Sequence, residues 1–243
     1  MRTKIISDPY NRKVRLQPAL LAALPLGVGT LAWFPEGIAG WGILWGLVVW
    51  SGGTTLLTQL GRDSGLKKEA HLYDKWGGKP TTALLRHRSA PNKVLLKVQQ
   101  KKLQSLVPEL VIPSLEQEQA DPDAADEVYD ACVAILRERT RDRAQFGVLF
   151  EENCNYGFRR NLWGMKAVGT TLAVLGLVLA GLSIVRVLWD RIPLPSPLVP
   201  VAIAINLALL LAWIFWFTSD WVRIPAKAYA SRLLASIDTL LQE

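Results

Sequence analysis

From Ala167 to Val185 the chain reads AVGTTLAVLGLVLAGLSIV, without a single charged side chain. A helix of about twenty such residues matches the hydrocarbon thickness of a bilayer. The run before it, EENCNYGFRRNLWGMK from Glu151 to Lys166, is polar, aromatic and basic, and no proline separates the two. This joint predicts a direct helical path from water into lipid. Apolar residues make up 50% of the 243 positions and are concentrated in four blocks: Leu16 to Phe34, Ile38 to Leu60, Ala167 to Val185, and Leu198 to about Ser219.

The blocks pair into hairpins. Phe34-Pro35-Glu36-Gly37 is a turn signal between the first two, and Arg186 to Arg191 followed by Ile-Pro-Leu-Pro-Ser-Pro separates the last two. Of the 28 Lys and Arg residues, only Arg186 and Arg191 fall in these short connections, leaving 26 on the opposite side. Basic residues stay on the cytoplasmic side of a membrane. Both termini and the middle of the chain are therefore expected in the cytoplasm, with the protein a multi-pass component of a bacterial inner membrane. No cleavable leader is expected, because the first apolar block lacks a small-residue cleavage site. The expected fold class is an all-α membrane protein of two transmembrane helical hairpins, four spans in all, with a mainly helical cytoplasmic region between them. The expected divisions are a basic arm (1–15), hairpin one (16–60), a cytoplasmic region (61–166), hairpin two (167–222) and an amphipathic C-terminal helix (223–243).

Charge within the middle region is segregated. Arg62 to Lys102 holds eleven basic and three acidic residues, whereas Glu109 to Asp130 holds eight acids and no base. Either the two parts pair with each other, or the basic part stays free for an anion. Thr81-Thr82 is read as the cap of a short helix through Arg88. Asn92 is read as the cap of a helix Lys93 to Val107, with Val94, Leu95, Val98, Leu103, Leu106 and Val107 at helical spacing. Asp121-Pro122-Asp123 opens the longest helix of the region from about Ala124, which is expected to continue toward the third block with breaks near Gly147 and Gly157.

A catalytic set is missing. His71 and His87 stand at no metal-ligand spacing with Cys132 or Cys154, so neither a metal nor a cofactor is expected. The run GGKPTT from Gly77 to Thr82 fails as a phosphate loop, since Tyr73 occupies the place of its first glycine and Pro80 that of its Ser or Thr. The acids Asp121, Asp123, Asp126, Glu127 and Asp130 lack the glycine of a cation-binding loop and read as a helix N-terminus. The basic group Arg86, Arg88, Lys93, Lys97 and Lys101, with Tyr73 and Trp76 as stacking rings, is the candidate ligand site; guanidinium forks and clustered lysines suit phosphates. Anionic headgroups or the acidic run are its alternative partners. Tyr156, Arg159, Arg160 and Trp163 are candidate gating residues or interfacial anchors at the membrane border. Asn206, alone in an apolar block, either glues helices together or lines a pore.

Three stretches, WGGKPTTALLRHRS (Trp76 to Ser89), DACVAILRERTRD (Asp130 to Asp142) and FEENCNYGFRRNLWGMK (Phe150 to Lys166), resemble a widespread group of bacterial four-span proteins. The layout is similar to that of the membrane effectors of nucleotide-signalling anti-phage systems, among them the Hailong effectors. The resemblance covers the soluble region and the membrane layout. It implies a non-enzymatic homo-oligomeric ion channel in antiviral defence whose opening depolarises an infected cell. It also implies an oligonucleotide or cyclic nucleotide controlling the gate, and a partner nucleotidyltransferase that makes it. From a different class, a non-conducting membrane scaffold that docks a cytoplasmic protein would carry an exposed apolar groove in the middle region.

Overall fold

The computed structural model describes residues 8–33, 41–189 and 198–242, and among these every regular element is helical. In chain order the α-helices are α1 (Gln17–Trp33), α2 (Trp41–Lys67), α3 (Glu69–Trp76), α4 (Pro80–Leu85), α5 (Lys93–Leu106) and α6 (Leu115–Ala120). There follow α7 (Pro122–Arg139), α8 (Gly147–Gly164), α9 (Lys166–Trp189), α10 (Leu198–Leu211), α11 (Ser219–Ala235) and α12 (Ile237–Leu240). Two π-helical segments, Asn11–Leu16 and Ala212–Trp216, precede α1 and follow α10. The chain divides into two compact units, Met1–Glu69 with Gly157–Val222, and Ala70–Tyr156 with Arg223–Glu243.

The first unit is built on small residues. In α9, Gly169, Ala173, Gly176, Ala180 and Ser183 recur at intervals of four and three and are all buried. In α1, Pro18, Ala22, Pro25, Gly29 and Ala32 do the same. A repeat of 3.5 residues keeps one seam on the partner helix, and small side chains let two backbones approach closely. A Cβ on Gly29 would lie 2.9 Å from the Gly176 Cα, and one on Gly176 would lie 2.5 Å from the Pro25 carbonyl oxygen. Pro18 has no N–H to give the Val14 carbonyl, four residues back. The buried Asn161 amide fills that place, donating to Val14 O at 2.9 Å.

Two helical stretches, Lys166–Arg186 and Leu198–Trp216, are long and apolar enough to cross a membrane. Helices α1 and α2, where the first hairpin is expected, do not meet that criterion: α1 has 17 residues, and α2 mixes Gly, Ser and Thr into its apolar run. The expected turns at 34–37 and 192–197 lie outside the described residues.

The second unit has a conventional core of Leu85, Leu103, Leu106, Tyr129, Cys132, Leu136, Phe146, Leu149, Leu233 and Ile237. The C-terminal α11 and α12 contribute to it through Leu233, Leu234 and Ile237, so the described residues from Arg223 on belong to this unit. Asn92 caps α5 as expected, accepting from the Val94 and Leu95 N–H groups at 3.0 Å. Its buried face matches the expected one at Leu103, Leu106 and Val107 and departs from it toward the N-terminus. Leu96, Leu103 and Leu106 are inside, while Val94, Leu95 and Val98 are 75, 50 and 44% exposed. Helix α4 begins at Pro80, with Thr81 and Thr82 inside it, and ends at Leu85 rather than Arg88. Helix α7 stops at Arg139, and α8 runs through Gly157 without interruption.

Candidate functional site

Arg86 leaves α4 on extended backbone, Arg88 stands in the turn that follows, and both meet the acids of α6 and α7. Arg86 is buried. Its guanidinium takes both Asp126 carboxylate oxygens, Nε to Oδ1 at 2.7 Å and Nη2 to Oδ2, while Nη1 donates to the Gly77 carbonyl at 2.6 Å. Gly77 and Gly78 have φ of +78° and +124°, and a Cβ on Gly78 would press on that guanidinium at 2.7 Å. The GGK turn is therefore the seat of Arg86. Arg88 bridges Glu118 at 3.3 Å and Asp126 at 3.0 Å. Lys79 and Thr82 both bond Asp130. Asp121 caps α7 by accepting from the Ala124 N–H at 3.0 Å. The charge segregation thus resolves into internal pairing for Lys79, Arg86 and Arg88. Arg86 is therefore not a free anion fork: each of its three nitrogens already donates, two to Asp126 and one to Gly77.

Glu118 is the residue that sequence reasoning missed. It is 2% exposed and accepts from the His87 N–H at 2.7 Å, the Arg88 N–H at 3.0 Å and the Tyr129 hydroxyl at 2.9 Å. Burial pushes its carboxyl up, but these donors and the Arg88 charge outweigh that and hold it below the ordinary value of 4.5. Tyr129 is raised well above its ordinary 10.0, first by burial and then by its bond to Glu118. Burial also raises the Cys132 thiol, and no disulfide joins Cys132 to Cys154. The only signal in the sequence was the run of acids itself.

The lysines behave differently. Lys93, Lys97 and Lys101 stand four residues apart on one exposed side of α5 and carry no ion pair among the described residues. Three ammonium groups at that spacing make a solvated positive ridge. Of the two candidate stacking rings, Trp76 is 8% exposed and edge-on to Tyr73 at 6.1 Å, and the Tyr73 hydroxyl is 3.2 Å from that of Tyr156. The Trp76 ring, expected to stack on a base, is buried, so its faces are covered by protein. Elsewhere in this unit Leu84, Pro91, Leu95, Val98, Leu234 and Ile237 line an apolar groove of about 280 Å³.

In the first unit Arg159, Arg160, Lys68 and Lys166 tie helix ends together. Arg159 donates to the Trp221 carbonyl at 2.9 Å and lies 4.5 Å from that indole's centroid. Arg160 pairs with Glu69 at 2.8 Å, with side-chain exposures of 12 and 21%. Lys68 caps α8 by donating to Gly164 O at 2.9 Å and stands 5.8 Å over Trp163. Lys166 does the same for the π segment after α10, reaching Ile214 O at 2.9 Å and Phe217 O at 3.4 Å. Cations at helix C-termini satisfy orphan carbonyls and complement the dipole.

Asn206 on α10 is fully buried, and neither its Oδ1 nor its Nδ2 has a hydrogen-bond partner. A Cβ on Gly176 would come within 2.8 Å of Nδ2. Leaving a buried polar group unbonded costs about 1–3 kcal/mol. Among the described residues no cluster of three or more metal-ligating side chains occurs. Comparison with protein-family models, curated proteins and solved structures finds no match to this chain.

Proposed function

We propose that this chain is a four-span membrane protein whose copies associate into a pore, gated by an anionic nucleotide or oligonucleotide on its water-facing unit. The observation that carries the reading is Asn206. An amide with no partner, in a unit of spanning helices zipped by small apolar residues, supports a polar path that forms when helices rearrange or copies assemble. The glycine and alanine seam of α1 against α9 supports α1 as a span alongside the two helices long and apolar enough to cross. The unpaired ridge Lys93, Lys97 and Lys101 replaces Arg86 as the ligand-facing part of the candidate site, with the half-exposed Arg88 beside its acid partners. In this reading the protein performs no catalytic step, sits in a bacterial inner membrane with both termini in the cytoplasm, and serves antiviral defence. A nucleotidyltransferase would supply the ligand.

The test is electrical. Purified protein in planar bilayers should carry a current that a short oligonucleotide alters, and Lys93→Glu with Lys97→Glu should abolish that response while leaving the current. Absence of current with or without oligonucleotide contradicts the reading. The apolar groove beside the exposed Leu95 and Val98 favours a second reading, a non-conducting scaffold that docks a cytoplasmic protein; silence in the bilayer is the result it expects.

A further inference from the structure

Helix α10 and the π segment after it carry a feature that the pore reading leaves unused. A π turn holds more residues per turn than an α turn, so it contains in effect one surplus residue. Here the Phe217 N–H reaches back five residues to Ala212 O at 3.0 Å. Absorbing that residue into regular α-helix turns one flank relative to the other by about 100°, the turn of a single residue. The C-terminal flank is held. Lys166 donates to Phe217 O at 3.4 Å, Arg159 donates to Trp221 O at 2.9 Å, and Phe217 and Val222 are buried. The N-terminal flank contains Asn206, buried without a partner, while its neighbours Ile205 and Leu207 are 37 and 47% exposed. A turn of one residue in either sense replaces the asparagine against Gly176 by an apolar side chain.

We propose that α10 has a second rotational register, reached when the π segment Ala212–Trp216 closes into α-helix, in which Asn206 leaves its site against Gly176 and faces the polar lining of the pore. The other π segment makes the contrast. At Asn11–Leu16 the carbonyl left over by Pro18 is satisfied by Asn161, so nothing favours its rearrangement. At Ala212–Trp216 the unsatisfied amide favours the second register. Lipid cannot satisfy an amide, so the outward position must meet water or a neighbouring copy. The inference rests on the pore reading for what Asn206 meets, though not for the rotation itself.

The experiment uses the full chain in lipid vesicles, with Cys132 and Cys154 replaced by alanine and Ala202→Cys introduced, one turn before Asn206 on the same buried face, so that the unpaired amide is kept. A small water-soluble methanethiosulfonate is the probe. Phe215 lies within the π segment and is 72% exposed; deleting it removes the surplus residue while leaving both flanks oriented as they are. The expected result is modification of the position-202 thiol, at least tenfold slower once Phe215 is deleted. Equal rates in the two chains, or no modification in either, overturns the proposal. In case the deletion fails to fold, Asn206→Leu gives an independent reading. It should raise the melting temperature in detergent and reduce the bilayer current at least tenfold; unchanged melting and current would count against the second register. Modification lost on deletion without any current would keep the rotation and sink the pore, whereas current with equal modification rates would do the reverse.

Discussion

Gly169 and Gly181 lie on the same helix, yet a methyl group meets different surroundings at each. At Gly169 it would enter the ring of the buried Trp213, whereas at Gly181 nothing lies within 4 Å. Gly169→Ala should therefore destabilise the protein by about 1–3 kcal/mol through overpacking, and Gly181→Ala should be neutral or slightly stabilising through helix propensity. Thermal unfolding in detergent separates the two. Glu118 makes a second residue-scale case. Its folded carboxyl lies below 4.5, so its contribution is present above that pH and is lost as pH falls through the depressed folded value. Glu118→Gln should flatten the loss of stability below pH 4.5 in an acid titration followed by tryptophan fluorescence. Tyr129→Phe removes one of the donors and should cost about 1 kcal/mol at neutral pH.

At the scale of elements, ends are more readable than faces. Asn92 announced the start of α5, because a side-chain oxygen placed before an apolar run has one efficient use, the orphan N–H groups of the first turn. Which stripe of α5 would be buried was not readable. Leu95 and Val98 keep helical spacing as well as Leu96, Leu103 and Leu106 do, and only the packing of α7, α11 and α12 decides between them. The charge switch between Arg62–Lys102 and Glu109–Asp130 was visible, but the pairing of Arg86 with Asp126 across forty positions was not, since no local rule joins them. The small-residue seams of α1 and α9 were only partly visible. Glycines stood out in the third block, while the matching alanines and prolines of the first carry no signal until the helices are side by side. The Arg160–Glu69 pair is similarly non-local. Its two side chains are 12 and 21% exposed, so Arg160→Met should cost about 2 kcal/mol by leaving a partly buried carboxylate short of its cation. A double-mutant cycle with Glu69→Gln should recover much of that loss; additive losses would show that the pair is not coupled.

For the molecule as a whole, the two units follow different rules of construction. One is held by backbone-close seams and helix-end caps and exposes a large apolar surface on α9 and α10. The other has an apolar core, internal ion pairs and an exposed lysine ridge. The proposed function requires the first unit in the bilayer and the second in the cytosol, and the pore, its ligand and what Asn206 meets after rotation all depend on that placement. Cysteine labelling in intact cells tests it directly. In a chain with Cys132 and Cys154 replaced, Ser196→Cys, between the third and fourth apolar blocks, should react with a membrane-impermeant maleimide from outside. Lys97→Cys on α5 should react only after the cells are opened; labelling at position 97 in intact cells would contradict the account.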